Sequence, residues 1–361
     1  MTVVAALHEA HGATFDERGG RRVVDHYGKP ERVHAAVRNV VGVIEMGYGI
    51  VEIRGDDRVD FVDNAVSNRV PEADGHGVYA LLLDPQGGIE TELYVYNAGS
   101  RLLCFVPPGR AEPLAEEWRG KTFIQDVEIR TATDDVGVFG IHGPKATEKI
   151  ASVLTGPGSP EAPLSFVRGE IGDWGVTVIR TDDLTGEEGY EVVCAAADAE
   201  RVADALLNHG LNAAPFGYRT WETLTLEAGT PLFDTELEGT VPNVAGVRNA
   251  LDFEKGCYVG QEIVSKIENR GRPSKQLVGL RPEAIPASGA AVFDGDATVG
   301  SVTRGAESPS LAEPIALAYV DYAADADDLT VRVDGEEVAA TVTDLPFVEG
   351  SARSRRLPTY P

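Results

Sequence analysis

The chain has 361 residues, 43% of them apolar, and a formal net charge of -26 from 58 acidic against 32 basic side chains. That is enough length and apolar content for two or three folded domains, and too negative a surface for gripping a phosphate backbone. Only 7 of the basic residues are lysine and the acids are spread along the chain, a composition that suits a high-salt cytosol; an ordinary acidic protein is the other reading.

The first 22 residues, with acids at Glu9, Asp16 and Glu17, hold no apolar run of signal-peptide length, and no later stretch nears the roughly 18 apolar residues of a membrane span. The expectation is a soluble cytoplasmic protein. In chain order, helix-like stretches fall at 29–40, 57–66, 110–120, 144–154 and 198–210. Strand-like stretches fall at 48–55, 92–97, 101–106, 136–143, 175–181 and 190–195. Their interleaving, with several strands adjacent, predicts an α+β fold with mainly antiparallel sheets. Cys104 and Cys194 lie in apolar strand-like runs and read as packing residues. No paired Cys/His spacing suggests a zinc site.

After Pro273 the texture changes to short apolar runs separated by Gly and Asp, with hairpin signals in "FDGDA" and "VDGEE". This predicts a small all-β domain, a barrel, over 273–361 behind a larger unit at 1–272. Just before that boundary, "GQEIVSKIENRG" reads as a helix of about three turns closed by Gly271. Cys257 precedes the helix and stands two residues from Lys255, so it is either a thiol activated by a helix N-terminus and an ammonium, or a buried cysteine in a turn. Downstream, Lys266, Arg270, Arg272 and Lys275 face the lone acid Glu268 and form a candidate anion patch.

The stretch "KGCYVGQE", Lys255, Gly256, Cys257, Tyr258, Val259, Gly260, Gln261 and Glu262, resembles at every position the signature K-G-C-[YF]-x-G-Q-E of the YgfZ family. These are folate-binding relatives of the glycine cleavage T-protein. Three further stretches are similar to the wider superfamily: "GVYALLLDPQGGIETELYVY" (77–96), "RTDDLTGEEGYEVVC" (180–194) and "FGYRTWETLTLEAGTPLFDTEL" (216–237). The resemblance implies a three-lobed fold with a C-terminal barrel, and a tetrahydrofolate site of Tyr79, Glu92, Glu187 and Arg219, with Tyr96 and Tyr190 in the same pocket. It implies a role in maintaining or maturing iron–sulfur enzymes, which would be the partners, with Cys257 and Lys255 at the functional thiol. One departure bears on this: the acidic pair of the T-protein is replaced by Thr91 and Glu92. The retained Glu92 keeps open a folate-dependent aminomethyltransferase with Glu92 in its catalysis, and a folate-regulated scaffold is a third reading. A carboxylate such as Glu187 can accept the adjacent ring NH and amino group of a pterin, and an arginine such as Arg219 can hold a carboxylate tail.

Overall fold

The computed structural model describes residues 2–324 and 329–360. Within it the chain forms an α+β fold of two large sheets and a barrel, preceded by a hairpin of Thr14–Arg18 and Arg21–His26. The first sheet has five strands in the spatial order His76–Leu83, Ile89–Asn97, Leu102–Val106, Gly49–Arg54 and Glu128–Thr131. The second has seven, and its centre is Trp174–Arg180, Gly189–Ala195, Val136–His142 and Gly42–Glu45 in that order. All neighbours in both sheets are antiparallel except the short Ala214–Pro215 strand beside Gly42–Glu45.

Each sheet is covered on both faces, so its strands carry apolar or aromatic side chains in both directions. On Ile89–Asn97, Leu93 and Val95 pack with Val62, Leu114 and Trp118 from the helices Arg58–Ala65 and Ala111–Arg119. Tyr94 and Tyr96 point the other way, into a central cluster. On Gly189–Ala195, Tyr190, Val192 and Cys194 meet Val202 and Leu206 of the helix Ala199–Asn208. The sheet's opposite face gives Ile44, Val138 and Ile179 to the central cluster. The two sheets therefore face each other across that cluster, each backed by its own helices. Cys104 and Cys194 are buried in the two outer cores, and burial pushes both thiols up, Cys194 to about 12.

The barrel closes through six strands between Lys275 and Thr343. Its last hairpin turns at Asp334 and Gly335, both with positive φ (50° and 89°), the backbone that an Asp-Gly turn supplies. The chain then leaves the barrel. Residues 344–360 return across the two-sheet body, where Ala352 N donates to Gly186 O at 3.1 Å and Arg355 N to Asp182 O at 3.0 Å. Among the described residues no helix is long and apolar enough to cross a membrane.

Glu227, at the end of the helix Tyr218–Glu227, joins body to barrel. Its carboxylate accepts from His34 Nε2 (2.8 Å) and Arg38 Nη2 (2.8 Å) in the body. It also accepts from Ser308 Oγ (2.6 Å) and Ser310 Oγ (3.0 Å) on the barrel side. Burial alone raises this carboxyl, but His34, Arg38 and Ser308 outweigh it and hold it down at about 2. A carboxylate depressed from roughly 4.3 unfolded stabilises the fold above that pH and ceases to do so as pH falls towards about 2. Glu227→Gln leaves the Arg38 charge without this partner in a buried site, and the expected cost is on the order of 3–5 kcal/mol. Guanidinium unfolding in high salt checks the cost; the variant should also lose the steep decline of stability below roughly pH 4.3.

Candidate functional site

The space between the two sheets is shaped by a strand rule and two glycines. Alternation puts Glu92, Tyr94 and Tyr96 on the inner face of Ile89–Asn97, and Glu191 and Val193 on the inner face opposite. His142 shares that opposing face, from the neighbouring strand. In the register, Gly140 lies across from Glu191 and Gly189 across from His142. A Cβ on Gly140 would come within 2.7 Å of His142 Nε2. One on Gly189 would come within 2.8 Å of His142 Nδ1 and 2.4 Å of Thr181 Oγ1. The glycines leave the room that the imidazole occupies.

A cavity of about 490 Å³ opens between the sheets, walled by Tyr96, Phe105, Phe166, Ile179 and Val193. It falls within the roughly 300–1,000 Å³ of small-molecule sites. Half-exposed Arg101, Arg130 and Arg168 also line it. Arg101 and Arg130 pair with the buried Glu52, and Arg168 pairs with Asp74. Tyr96 also borders a recess of about 10 Å³, bounded by Tyr48, Thr181, Asp182, Glu191 and His142.

The recess is electrostatically unusual. Burial pushes the Glu191 carboxyl up to about 7, against a 2.8 Å hydrogen bond donated by Tyr48 Oη. His142 is 1% exposed, and burial together with Arg180 lowers it to about 3, so the ring is neutral in ordinary solution. Among the described residues neither of its ring nitrogens has a hydrogen-bond partner. Beside the recess, Arg356 from the returning tail reaches Glu92 Oε2 (2.6 Å), Tyr94 Oη (2.5 Å) and Asp182 Oδ2 (3.4 Å). Its guanidinium lies 4.0 Å from the Tyr79 ring centroid. Tyr79 Oη donates to Glu92 at 2.8 Å, and burial raises the Glu92 carboxyl despite both donors.

Of the residues singled out in the sequence, Tyr79, Glu92 and Tyr96 come together here. Glu187 lies elsewhere, because Arg38 (3.0 Å) and Ser351 N and Oγ (2.9 and 2.6 Å) occupy its carboxylate. Tyr190 faces the outer core and is 3.0 Å from Thr147 Oγ1. Arg219 is on the surface, paired with Asp25 at 2.7 Å. Lys255 is buried, and its ammonium donates to the carbonyls of Asp63 (2.5 Å), Val66 (3.0 Å) and Asn68 (3.0 Å), which satisfies the end of the helix Arg58–Ala65. Cys257 is exposed.

The signature helix runs Gln261–Arg270. Gly260 enters it at φ 81° with Asp84 O only 2.7 Å from where a Cβ would stand. Tyr258 is buried, Gly256 borders open space, Gln261 Nε2 sits 3.5 Å from Lys255 O, and Glu262 is exposed. In the basic patch, Lys275 is 3.8 Å from Asp321 and Arg272 stacks over Tyr322; the Arg270 side chain lies outside the described residues. The sequence reading did not single out Glu191, His142, Asp182 or Arg356. A glutamate inside the apolar run "GYEVVCA" was the available signal for Glu191.

Comparison with known proteins adds to this geometry. Residues 4–255 match the family model of the GCVT N-terminal domain, and residues 275–349 that of the glycine cleavage T-protein C-terminal barrel domain. The chain is 32% identical to the aminomethyltransferase of Saccharopolyspora erythraea, over 98% of this chain and 99% of that one. It is 31% identical to the probable aminomethyltransferase of Halobacterium salinarum, over 95% and 97%. The crystal structure of glycine cleavage system aminomethyltransferase T from Bartonella henselae superposes with a TM-score of 0.86 at 25% identity, covering 98% of each chain.

The raised Glu191 predicts a cost to the unliganded protein. A carboxyl whose folded pKa exceeds its unfolded value binds more protons when folded, so its contribution to stability falls as pH rises from roughly 4.3 to about 7. Glu191→Gln removes that decline. Thermal and denaturant unfolding at pH 7.5 should show the variant more stable by about 2–4 kcal/mol, with the difference shrinking towards pH 4.5.

Proposed function

Since the chain belongs to the glycine cleavage T-protein family, we propose that it is a tetrahydrofolate-dependent aminomethyltransferase whose cofactor lies between the two sheets. The observation that carries this reading is Glu191, a buried carboxylate that accepts from Tyr48 in a recess sharing its Tyr96 wall with the aromatic-walled cavity. The pterin-holding role expected of Glu187 passes to Glu191, whose oxygens can accept the ring NH and amino group together. The residues present fit the cofactor. Tyr96 and Phe166 supply flat walls, Gly140 and Gly189 make room for His142 beside the recess, and Arg101 and Arg168 offer cations to a carboxylate tail. The tail-holding role thereby leaves Arg219, which is fixed on the surface by Asp25.

Tetrahydrofolate, when bound, supplies the amine nitrogens that accept a one-carbon unit. Glu92 is the proton acceptor in this reading. Burial raises its carboxyl, and Tyr79 and Arg356 hold Oε2 fixed. Asp182 shares Arg356 and keeps the guanidinium from neutralising Glu92 alone.

A second reading rests on Cys257. Its thiol is exposed within a signature shared at every position with YgfZ proteins, and it stands apart from the inter-sheet cavity. In that reading the chain serves iron–sulfur enzymes through the thiol while binding the same cofactor. Lys255 takes a structural part, since its ammonium is committed to three carbonyls.

Turnover separates the two. Purified protein in high salt, given tetrahydrofolate and an aminomethyl-loaded lipoyl carrier, should release ammonia stoichiometrically, and Cys257→Ser should leave the rate unchanged. Glu92→Gln should lower kcat by roughly 10²–10⁴-fold while tetrahydrofolate affinity by calorimetry moves less than about threefold. Absence of ammonia release, with iron–sulfur enzyme activity lost in deletion cells and restored by wild type but not by Cys257→Ser, would establish the second reading instead.

A further inference from the structure

We infer that His142 is a specificity-determining residue, a neutral hydrogen-bond donor that reads the 4-oxo group of the bound pterin beside the pair held by Glu191. The inference rests on the tetrahydrofolate reading and deepens it.

The first ground is the side chain itself. A buried imidazole normally satisfies at least one ring nitrogen, since an unpaired buried donor or acceptor is costly. Among the described residues His142 satisfies neither, yet it is buried at 1% exposure. Its two closest rings, Trp221 and Phe216 at 5.1 and 6.2 Å between centroids, pack edge-on and supply no acceptor oxygen. Its environment keeps it uncharged, so it presents one N–H and one lone pair.

The second ground is placement. His142 and Glu191 both border the same recess and come from adjacent strands, offset by one inner-face position. No hydrogen bond joins them. Gly140 and Gly189 make room for the imidazole at this position, since a methyl group on either would strike it. The site therefore offers two acceptor oxygens from Glu191 and, alongside, one N–H from His142.

The third ground is ligand chemistry. The edge of a tetrahydropterin runs amino donor, ring N–H donor, carbonyl acceptor. Glu191 answers the two donors and leaves the carbonyl to be matched. A site built to hydrogen-bond a ligand group rejects an analogue lacking it, because the site's own buried polar atom is then left unpaired. His142, without another partner, is placed to impose that penalty.

The test compares tetrahydrofolate with its 4-thioxo analogue, which keeps both donors and replaces the strong acceptor by sulfur. By titration calorimetry, wild type should prefer the oxo form by about tenfold. His142→Gln, whose amide retains an N–H, should keep a preference above threefold. His142→Leu should bind both forms alike, each about as weakly as wild type binds the thioxo form. A preference that survives unchanged in His142→Leu overturns the inference, and so does its absence in wild type. A merely structural histidine would shift melting temperature without touching the preference. Should His142→Leu fail to fold, ¹⁵N-imidazole spectra of the wild type decide. One His142 ring nitrogen should move on binding tetrahydrofolate, and an unmoved pair overturns the inference. If wild type does not bind tetrahydrofolate at all, the parent reading falls and this one with it. If it binds and Glu191→Gln abolishes binding while the oxo preference is missing, only the role of His142 falls.

Discussion

The arrangement of the centre depends on one buried cation. Arg356 arrives from beyond the barrel, is 1% exposed, and bonds to Glu92 and Tyr94 on one sheet and Asp182 at the edge of the other. Taking a guanidinium out of water is costly, and only good geometry with further hydrogen bonds repays it. Here two carboxylates, a phenol oxygen and the face of Tyr79 do so. The same contacts tie the tail beyond the barrel to both sheets. Two carboxylates contact the one guanidinium, and Glu191 feels it only at longer range. Burial, with the neighbouring carboxylates adding to it, is why Glu92 and Glu191 are both raised instead of depressed.

Glu52 and Glu227 show the opposite regime in the same molecule. Each is buried, but Glu52 meets three arginines and Glu227 meets Arg38, His34 and two serines, and both carboxyls settle near 2. Cations in excess make a fixed anion that holds the fold; cations in deficit make a carboxyl that can exchange a proton or take new donors. The cations that each carboxyl meets divide scaffold from site, with all four carboxyls largely or wholly removed from solvent.

Much of the scaffold was legible. The helix closed by Gly271, the strands around "ELYVYN" and "YEVVCA", the all-β tail and its Asp334-Gly335 hairpin follow from local periodicity and turn chemistry. Half of the site was legible too, since Tyr79, Glu92 and Tyr96 lie within one hairpin whose pairing is local. Glu191, His142 and Arg356 were not. Glu187 and Glu191 both sit in "TGEEGYE", and which one faces the cavity depends on strand register and on Arg38 and Ser351, which lie 149 and 164 residues from Glu187. The sheet is covered on both faces, so alternation tells which residues share a side and not which side holds a space. Arg356 lies in a tail with no periodic pattern, 264 residues from Glu92.

Where the T-protein pattern has an acidic pair, this chain has Thr91 and Glu92. One extra methylene moves a carboxylate by about 1.5 Å along the side chain, a displacement that proton transfer does not tolerate if the group is free to wander. Glu92 is not free. Tyr79 Oη and Arg356 Nη1 both converge on Oε2, and the partner strands fix Tyr79 while three further contacts fix Arg356. Thr91, pointing to the opposite face, is buried and directs its hydroxyl to the Glu92 carbonyl at 3.4 Å, so position 91 adds no carboxylate to Glu92 and Asp182 around the cation. A longer side chain held at its head by two donors can present Oε1 as definitely as a shorter one held by its length. The constraint has moved from the side chain to its partners, and the tail that carries Arg356 becomes as much a part of the site as the strand that carries Glu92.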